Sequence, residues 1–212
     1  AHTMILWNGF NLQSPTNGQL DLSLIPAAFL DEVSVQYGGS GVRYGSGAMG
    51  GAVVLNNKQE FNKGLSVKIN AALGNFGFNS QQLTVTKSGT RYVFSIKTFR
   101  EAALNNFKYN NITKVGAPLE RETNNQQQQQ GILQENYFKI SDKQRLNARI
   151  WYQFADRQIP PTMSEAFSNS YQQDRSIRTS TEGNDTGRNR WYSVRSSYIS
   201  ERLNYNNSLV NV

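Results

Sequence analysis

The chain has 212 residues, of which 37% are hydrophobic, and a mean hydropathy of −0.60; this is length enough for one large or two small domains but thin for one continuous interior. It has no cysteine and one histidine, His2, which excludes disulfides and thiolate metal sites and leaves almost no material for Ser-His-Asp, Cys-His or two-histidine metal chemistry. The net charge of +7 comes from scattered basic residues, which suits a solvated or channel-lining bias better than a nucleic-acid footprint.

No run approaches the ~20 apolar residues of a membrane helix. "AHTMILWNGF" also lacks the basic start of a signal peptide, so any membrane role has to come from strands and any export signal from sequence upstream. Residues 1 to 57 alternate short apolar runs ("MILW", "LSLIPAAFL", "VSV") with Asn8-Gly9 and Asn17-Gly18, dipeptides suited to tight turns. One helical turn is expected after Pro26, with Asp31 and Glu32 leading into a strand at 33 to 37. This reads as a small α/β unit.

The stretch "YGSGAMGG" contains a G-x-G-x-x-G spacing. A dinucleotide loop needs a helix after it and an acidic residue ~20 positions on. Here "AVVLNNK" follows, which reads as a strand, and no acid lies between Glu60 and Glu101. No kinase signature and no Gly-Lys-Ser/Thr is present either, so a nucleotide site is rejected.

From Phe61 onward apolar and polar residues alternate with period 2, the pattern of two-faced strands. Leu65, Val67, Ile69, Ala71 and Leu73 share one face; so do Tyr92, Phe94 and Ile96, against Arg91, Ser95 and Lys97, with Val93 and Phe99 as exceptions. Leu146, Ala148, Ile150, Tyr152 and Phe154 oppose Arg145, Asn147, Arg149 and Gln153, while Tyr192, Val194 and Tyr198 oppose Arg190 and Arg195. Short turns are expected at 88–90, 142–144 and near 201–203, and long polar loops at about 102–125 and 160–188. Alternating short and long connections, with amphipathic segments of about 9–11 residues, suit a membrane β-barrel. Tyr92, Trp151, Tyr152, Trp191, Tyr192 and Tyr198 are candidates for its aromatic girdles, and "QQQQQ" at 126–130 reads as the loop end of a strand with lumen-facing polar residues.

The segments "AHTMILWNGFNL", "GQLDLSLIPAAFLDEVSV" and above all "YGGSGVRYGSGAMGGAVVLNNK" resemble the plug of a TonB-dependent outer-membrane receptor, the last matching the pattern RGPxSxLYGxxAxGGxVNIxTK. Within that family the first segments are most similar to vitamin B12 receptors. Tyr37-Gly38-Gly39 and Leu55-Asn56-Asn57-Lys58 depart from the pattern at its two ends.

The resemblance implies a mainly β fold: the C-terminal part of a small α/β plug, residues 1–58, then residues 59–212 as about seven antiparallel amphipathic strands of an incomplete transmembrane β-barrel. It implies a truncated chain, a bacterial outer-membrane location and energy-coupled import of a corrinoid or ferric siderophore. The implied partners are the TonB complex, through a plug region N-terminal to this chain, and outer-membrane lipid, with no nucleic acid, no cofactor, no metal and no catalytic residue. Gln13, Ser14, Thr16 and Asn17 fall at the plug apex as ligand contacts or as a plain surface turn, Tyr109, Tyr171 and Arg175 are loop candidates for ligand contact, and Tyr44, Gly45, Gly47, Gly50 and Gly51 mark the plug–barrel junction. The competing readings are a non-transporting surface binding or adhesion protein and, behind it, a hydrolase using Asp31 and Glu32.

Overall fold

The computed structural model describes residues 3–13, 18, 20–37, 48, 50–187 and 190–207. The chain divides into two compact units, Ala1–Glu60 and Phe61–Val212.

The first unit is a four-stranded sheet of β1 (Thr3–Trp7), β2 (Phe10–Asn11), β3 (Glu32–Tyr37) and β4 (Gly51–Asn56), in the order β2-β1-β4-β3. Strand β1 lies parallel to β4, and β3 runs antiparallel to β4 on its other side. A central strand buried on both faces has to be apolar throughout, and Met4, Ile5, Leu6 and Trp7 are all buried. Met4 and Leu6 cluster with Ala48, Ala52 and Val54. The β1–β2 turn is the expected Asn8-Gly9 pair, with φ of 49° and 85°, the left-handed values that these residue types tolerate. The expected helical turn after Pro26 is a 3-10 turn at Ala27–Phe29; a second, Leu22–Leu24, is capped by the Asp21 carboxylate accepting from the Ser23 N–H at 2.9 Å.

The second unit is dominated by a seven-stranded antiparallel sheet. Its strands are β5 (Gly64–Leu73), β6 (Asn79–Ser88), β7 (Tyr92–Ala103), β10 (Gln127–Lys139), β11 (Gln144–Ile159), β12 (Ser170–Thr186) and β13 (Trp191–Asn206), hydrogen-bonded in that order. Strands β8 (Lys108–Asn110) and β9 (Leu119–Arg121) form a separate hairpin inside the β7–β10 connection. The turns at 89–91 and 140–143 fall where expected.

Two expectations fail. The stretch near 201–203 is no turn but lies within β13, and most of the expected long loop at 160–188 is strand β12, leaving 160–169 as loop. Strand β12 is polar on both faces, so period-2 alternation cannot reveal it; β11 and β13 pair with it along its length and supply the order that the sequence pattern lacks.

The two faces of the sheet are inverted relative to a water-soluble protein. Ile96 is 41% exposed and Ile150 53%, while Lys97, on the opposite face, is 5% exposed and Arg149 3%. Leu65, Val67, Ile69 and Val194 are likewise exposed, and Ser95, Glu135, Asn147, Gln153, Arg178 and Glu182 are buried. The two exceptions in β7, Val93 and Phe99, lie buried on the charged face, as does Trp151, which therefore does not belong to an exposed aromatic girdle. Gln127 to Gln130 lie in β10; Gln129 donates to Glu101 at 3.3 Å on the face of Lys97, while Gln128 and Gln130 share the face of Ile132, so only alternate glutamines follow the expected orientation.

Candidate functional site

The buried face of the large sheet concentrates the charge. Register places Glu135 of β10 directly opposite Arg149 of β11. Lys97 Nζ lies 3.3 Å from Glu135 Oε2, and the Tyr137 hydroxyl donates to Glu135 Oε1 at 2.6 Å. Arg149 Nε donates to that same hydroxyl at 3.4 Å and lies 3.9 Å from Glu135 Oε1. One carboxylate is thus surrounded by two cations and a phenol, the arrangement a buried charge requires. Farther along, Arg178 stacks over the Trp151 ring at 4.4 Å and donates to Glu201 at 2.6 Å, while Glu182 pairs with Arg195 at 2.9 Å. These groups neutralise one another and present no nucleophile–base pair. Among the described residues no three His, Cys, Asp or Glu side chains converge as metal ligands.

The connections at the other end of the strands are held by asparagines. Asn111, buried, donates from Nδ2 to Glu120 and to the Met163 carbonyl, both at 2.9 Å, and its Oδ1 accepts from the Thr113 N–H at 3.1 Å. The β8–β9 hairpin is thereby tied to the 160–169 loop. Asn124 makes a second tie, donating to the carbonyls of Ile159 at 2.8 Å and Ser170 at 2.9 Å. Neither asparagine is singled out by sequence; the signal available is an Asn two residues before a Thr (Asn111) or in a polar turn (Asn124), which is common in any loop. Lys114 lies 2.6 Å from Glu120 and, with the Asn111 amide, holds that carboxyl below its usual range.

Of the loop candidates, Tyr109 lies in β8, where its ring meets Phe107 edge-on at 6.5 Å and its hydroxyl donates to Glu120 at 3.5 Å. Burial first, then the Glu122 and Glu120 carboxylates, push its hydroxyl pKa up. Tyr171 and Arg175 are not loop residues: both lie in β12, and Arg175 shares the exposed face with Ile177. Tyr109 thus belongs to the hairpin inside the β7–β10 connection, and the other two belong to the large sheet. A cleft of about 410 Å³ lies at the strand ends, lined by Asn79, Gln126, Gln128, Phe154, Asp156 and others.

In the first unit Gln13 braces its own loop: Nε2 donates to the Gly18 carbonyl at 2.9 Å and the Thr3 carbonyl at 3.2 Å. Ser14, Thr16 and Asn17 lie outside the described residues, as do Tyr44, Gly45 and Gly47. Gly51 has φ of 132°, and a Cβ there would meet the Gln36 carbonyl oxygen at 2.5 Å. Its missing side chain thus lets β3 and β4 approach.

Asn57, one of the departures from the plug pattern, is a hub that sequence reading missed. Its Oδ1 accepts from Trp7 Nε1 at 2.9 Å and Asn8 Nδ2 at 2.8 Å, its N–H donates to Asn8 Oδ1 at 2.9 Å, and its Nδ2 donates to the Phe29 carbonyl.

Residues 1–52 match the family model described as TonB-dependent Receptor Plug Domain. No curated protein sequence matches the chain. Among solved structures, a ferric enterobactin receptor from Pseudomonas aeruginosa is similar over 95% of this chain and 33% of its own, with 15% identity and a TM-score of 0.66. The FrpB iron transporter from Neisseria meningitidis is similar over 95% and 34%, with 12% identity and a TM-score of 0.70. The copper transporter OprC is similar over 94% and 29%, with 12% identity and a TM-score of 0.71. At such identities the likeness is one of fold: part of a plug followed by wall strands of an incomplete barrel. The chain spans about a third of the length of these structures.

Proposed function

We propose that this chain supplies a plug segment and wall strands to a bacterial outer-membrane receptor that imports a bulky, scarce nutrient under TonB coupling, most simply a ferric siderophore or comparable metal chelate. The observation that carries the reading is the inverted sheet: Lys97, Glu135 and Arg149 are buried while Ile96 and Ile150 are exposed. Lipid on the apolar face, and a polar interior on the other, make that arrangement favourable, and closure by further strands satisfies the edges β5 and β13. The plug match over residues 1–52 adds the energy-coupled element, and the names of the structural neighbours, an enterobactin receptor and iron and copper transporters, favour metal chelates over a corrinoid.

In this reading residues 1–58 are plug and 59–212 wall. Gln13, Ser14, Thr16 and Asn17 are the candidate ligand contacts of the plug segment, and Tyr109 is a separate candidate in the asparagine-tied loops. In sequence, Tyr44, Gly45, Gly47, Gly50 and Gly51 lead into β4, the last plug strand ahead of the first wall strand β5.

The test is a titration of the full-length receptor with ferric catecholates, ferric hydroxamates and a corrinoid, followed by uptake in cells with and without the TonB complex. Saturable binding of a ferric siderophore and TonB-dependent uptake are expected. Binding without uptake would favour a surface binding or adhesion protein, and binding of the corrinoid alone would move the substrate class to cobalamins.

A further inference from the structure

The exposed face of the large sheet carries a feature that the import reading does not use. Register places Arg175 of β12 directly opposite Arg202 of β13. Both are exposed, and Phe154 and Arg100 continue the same cross-strand row on the same face. Like charges opposed across a strand pair have Cβ atoms about 5 Å apart and destabilise it. No carboxylate relieves this pair: among the described residues neither arginine makes an ion pair. Arg175 lies over the Phe154 ring at 5.4 Å, and Arg202 Nε donates to Asn204 Oδ1 at 3.3 Å.

The height of the pair on the sheet is informative. Arg175 stands about 11 residues from the Thr186 end of β12, and Arg202 about 11 from the Trp191 start of β13. At ~3.3 Å per residue and a tilt of about 45° this is roughly 25 Å, the height of the apolar band on an outer-membrane barrel. Between the arginines and the short turn, the same face presents Ile177 and Tyr198, both exposed. The guanidiniums therefore stand one band height above the turn, at the level where lipid headgroups begin.

We infer that Arg175 and Arg202 together clamp the phosphate of an anionic lipid headgroup at the loop-side boundary of the membrane. A phosphate offers several acceptor oxygens to two planar forks of donors and turns the repulsion between them into a shared bridge. The inference rests on the outer-membrane reading of the sheet.

The experiment uses the full-length receptor in nanodiscs of phosphatidylcholine doped with spin-labelled phosphatidic acid or spin-labelled phosphatidylcholine, with a fluorophore on I150C as a depth marker. The expected result is a selective association of phosphatidic acid that falls about fivefold for each of Arg175→Gln and Arg202→Gln. The double Arg→Lys variant, which keeps the charge and loses the fork, is expected to fall between wild type and the double Arg→Gln variant. Millimolar inorganic phosphate should leave the association in place. Equal association of the two lipids, an unchanged double Arg→Gln variant, or displacement by inorganic phosphate would overturn the clamp. Quenching at residue 150 by both lipids without selectivity would defeat the clamp alone. No quenching there would defeat the membrane reading and the clamp with it.

Discussion

Lys97 and Glu135 meet at 3.3 Å on neighbouring strands, nearly excluded from solvent, while Ile96, the residue before the lysine, is exposed. A pair of this kind is costly to desolvate and contributes little net stability, but removing the lysine leaves the buried Glu135 carboxylate with the more distant Arg149, 3.9 Å away, as its cation. Lys97→Met is therefore expected to destabilise the folded receptor by roughly 3–5 kcal/mol, read from the unfolding midpoint in detergent. Ile96→Ala, on the exposed face, should cost far less in detergent. Equal costs would mean that the charged face is not an interior.

Gly51→Ala places a methyl group against the Gln36 carbonyl and in a φ region that side chains avoid. It is expected to expose the first unit to limited proteolysis. Gly64, with φ of 70° and nothing within 4 Å of a built Cβ, provides the comparison. Gly64→Ala should cost only the left-handed strain of about 1–2 kcal/mol. A Gly51→Ala protein as resistant as wild type would remove the close-approach role assigned to that glycine.

Much of this architecture could be read from residues, and the failures have physical causes. Asn8-Gly9 announced its turn because left-handed φ suits few residue types, and "AVVLNNK" announced β4 by β-branching. Strands β7 and β11 were legible because one face is apolar and one polar. Strand β12 was not, because neither face is apolar and its neighbours impose the pairing. Arg175 and Tyr171 were misplaced in a loop for the same reason. Trp151 and Val93 show a further limit: period 2 tells that a strand has two faces, yet an apolar residue on the charged face reads only as noise. The asparagine hubs at 57, 111 and 124 depend on contacts far apart in sequence, which no local pattern carries.

Asn57 ties β1, the Asn8 turn and the end of the 3-10 turn at Phe29 to the exit of β4. Asn57→Leu is expected to remove the hydrogen bonds that the Trp7 indole N–H and the Phe29 carbonyl make to its amide, at roughly 0.5–1.5 kcal/mol for each. Amide exchange should accelerate at Asn8 and Leu12 while the β10–β11 ladder keeps its protection. Uniform acceleration in both units would contradict a local role.

The Glu120 latch gives a pH dependence with a defined sign. Lys114 and then Asn111 hold its folded-state carboxyl pKa below the ordinary carboxylate value. Its contribution is therefore present above that ordinary value and is lost as pH falls through the lowered one. Protection of the Thr113 amide, which donates to Asn111, should hold from neutral pH down to the ordinary range and fail below it. Glu120→Gln should abolish that acid step. A loss of protection already near neutrality would assign the latch to another group.

The most direct test of the membrane reading is the environment of Ile96 and Ile150. The chain has no cysteine, so Ile96→Cys and Ile150→Cys in the full-length receptor each carry a nitroxide at one defined position. In a reconstituted bilayer both nitroxides are expected to collide preferentially with dissolved oxygen, the lipid-soluble relaxant. Preferential collision with a water-soluble nickel chelate at both positions would show that the apolar face meets water, and the barrel-wall account would be wrong.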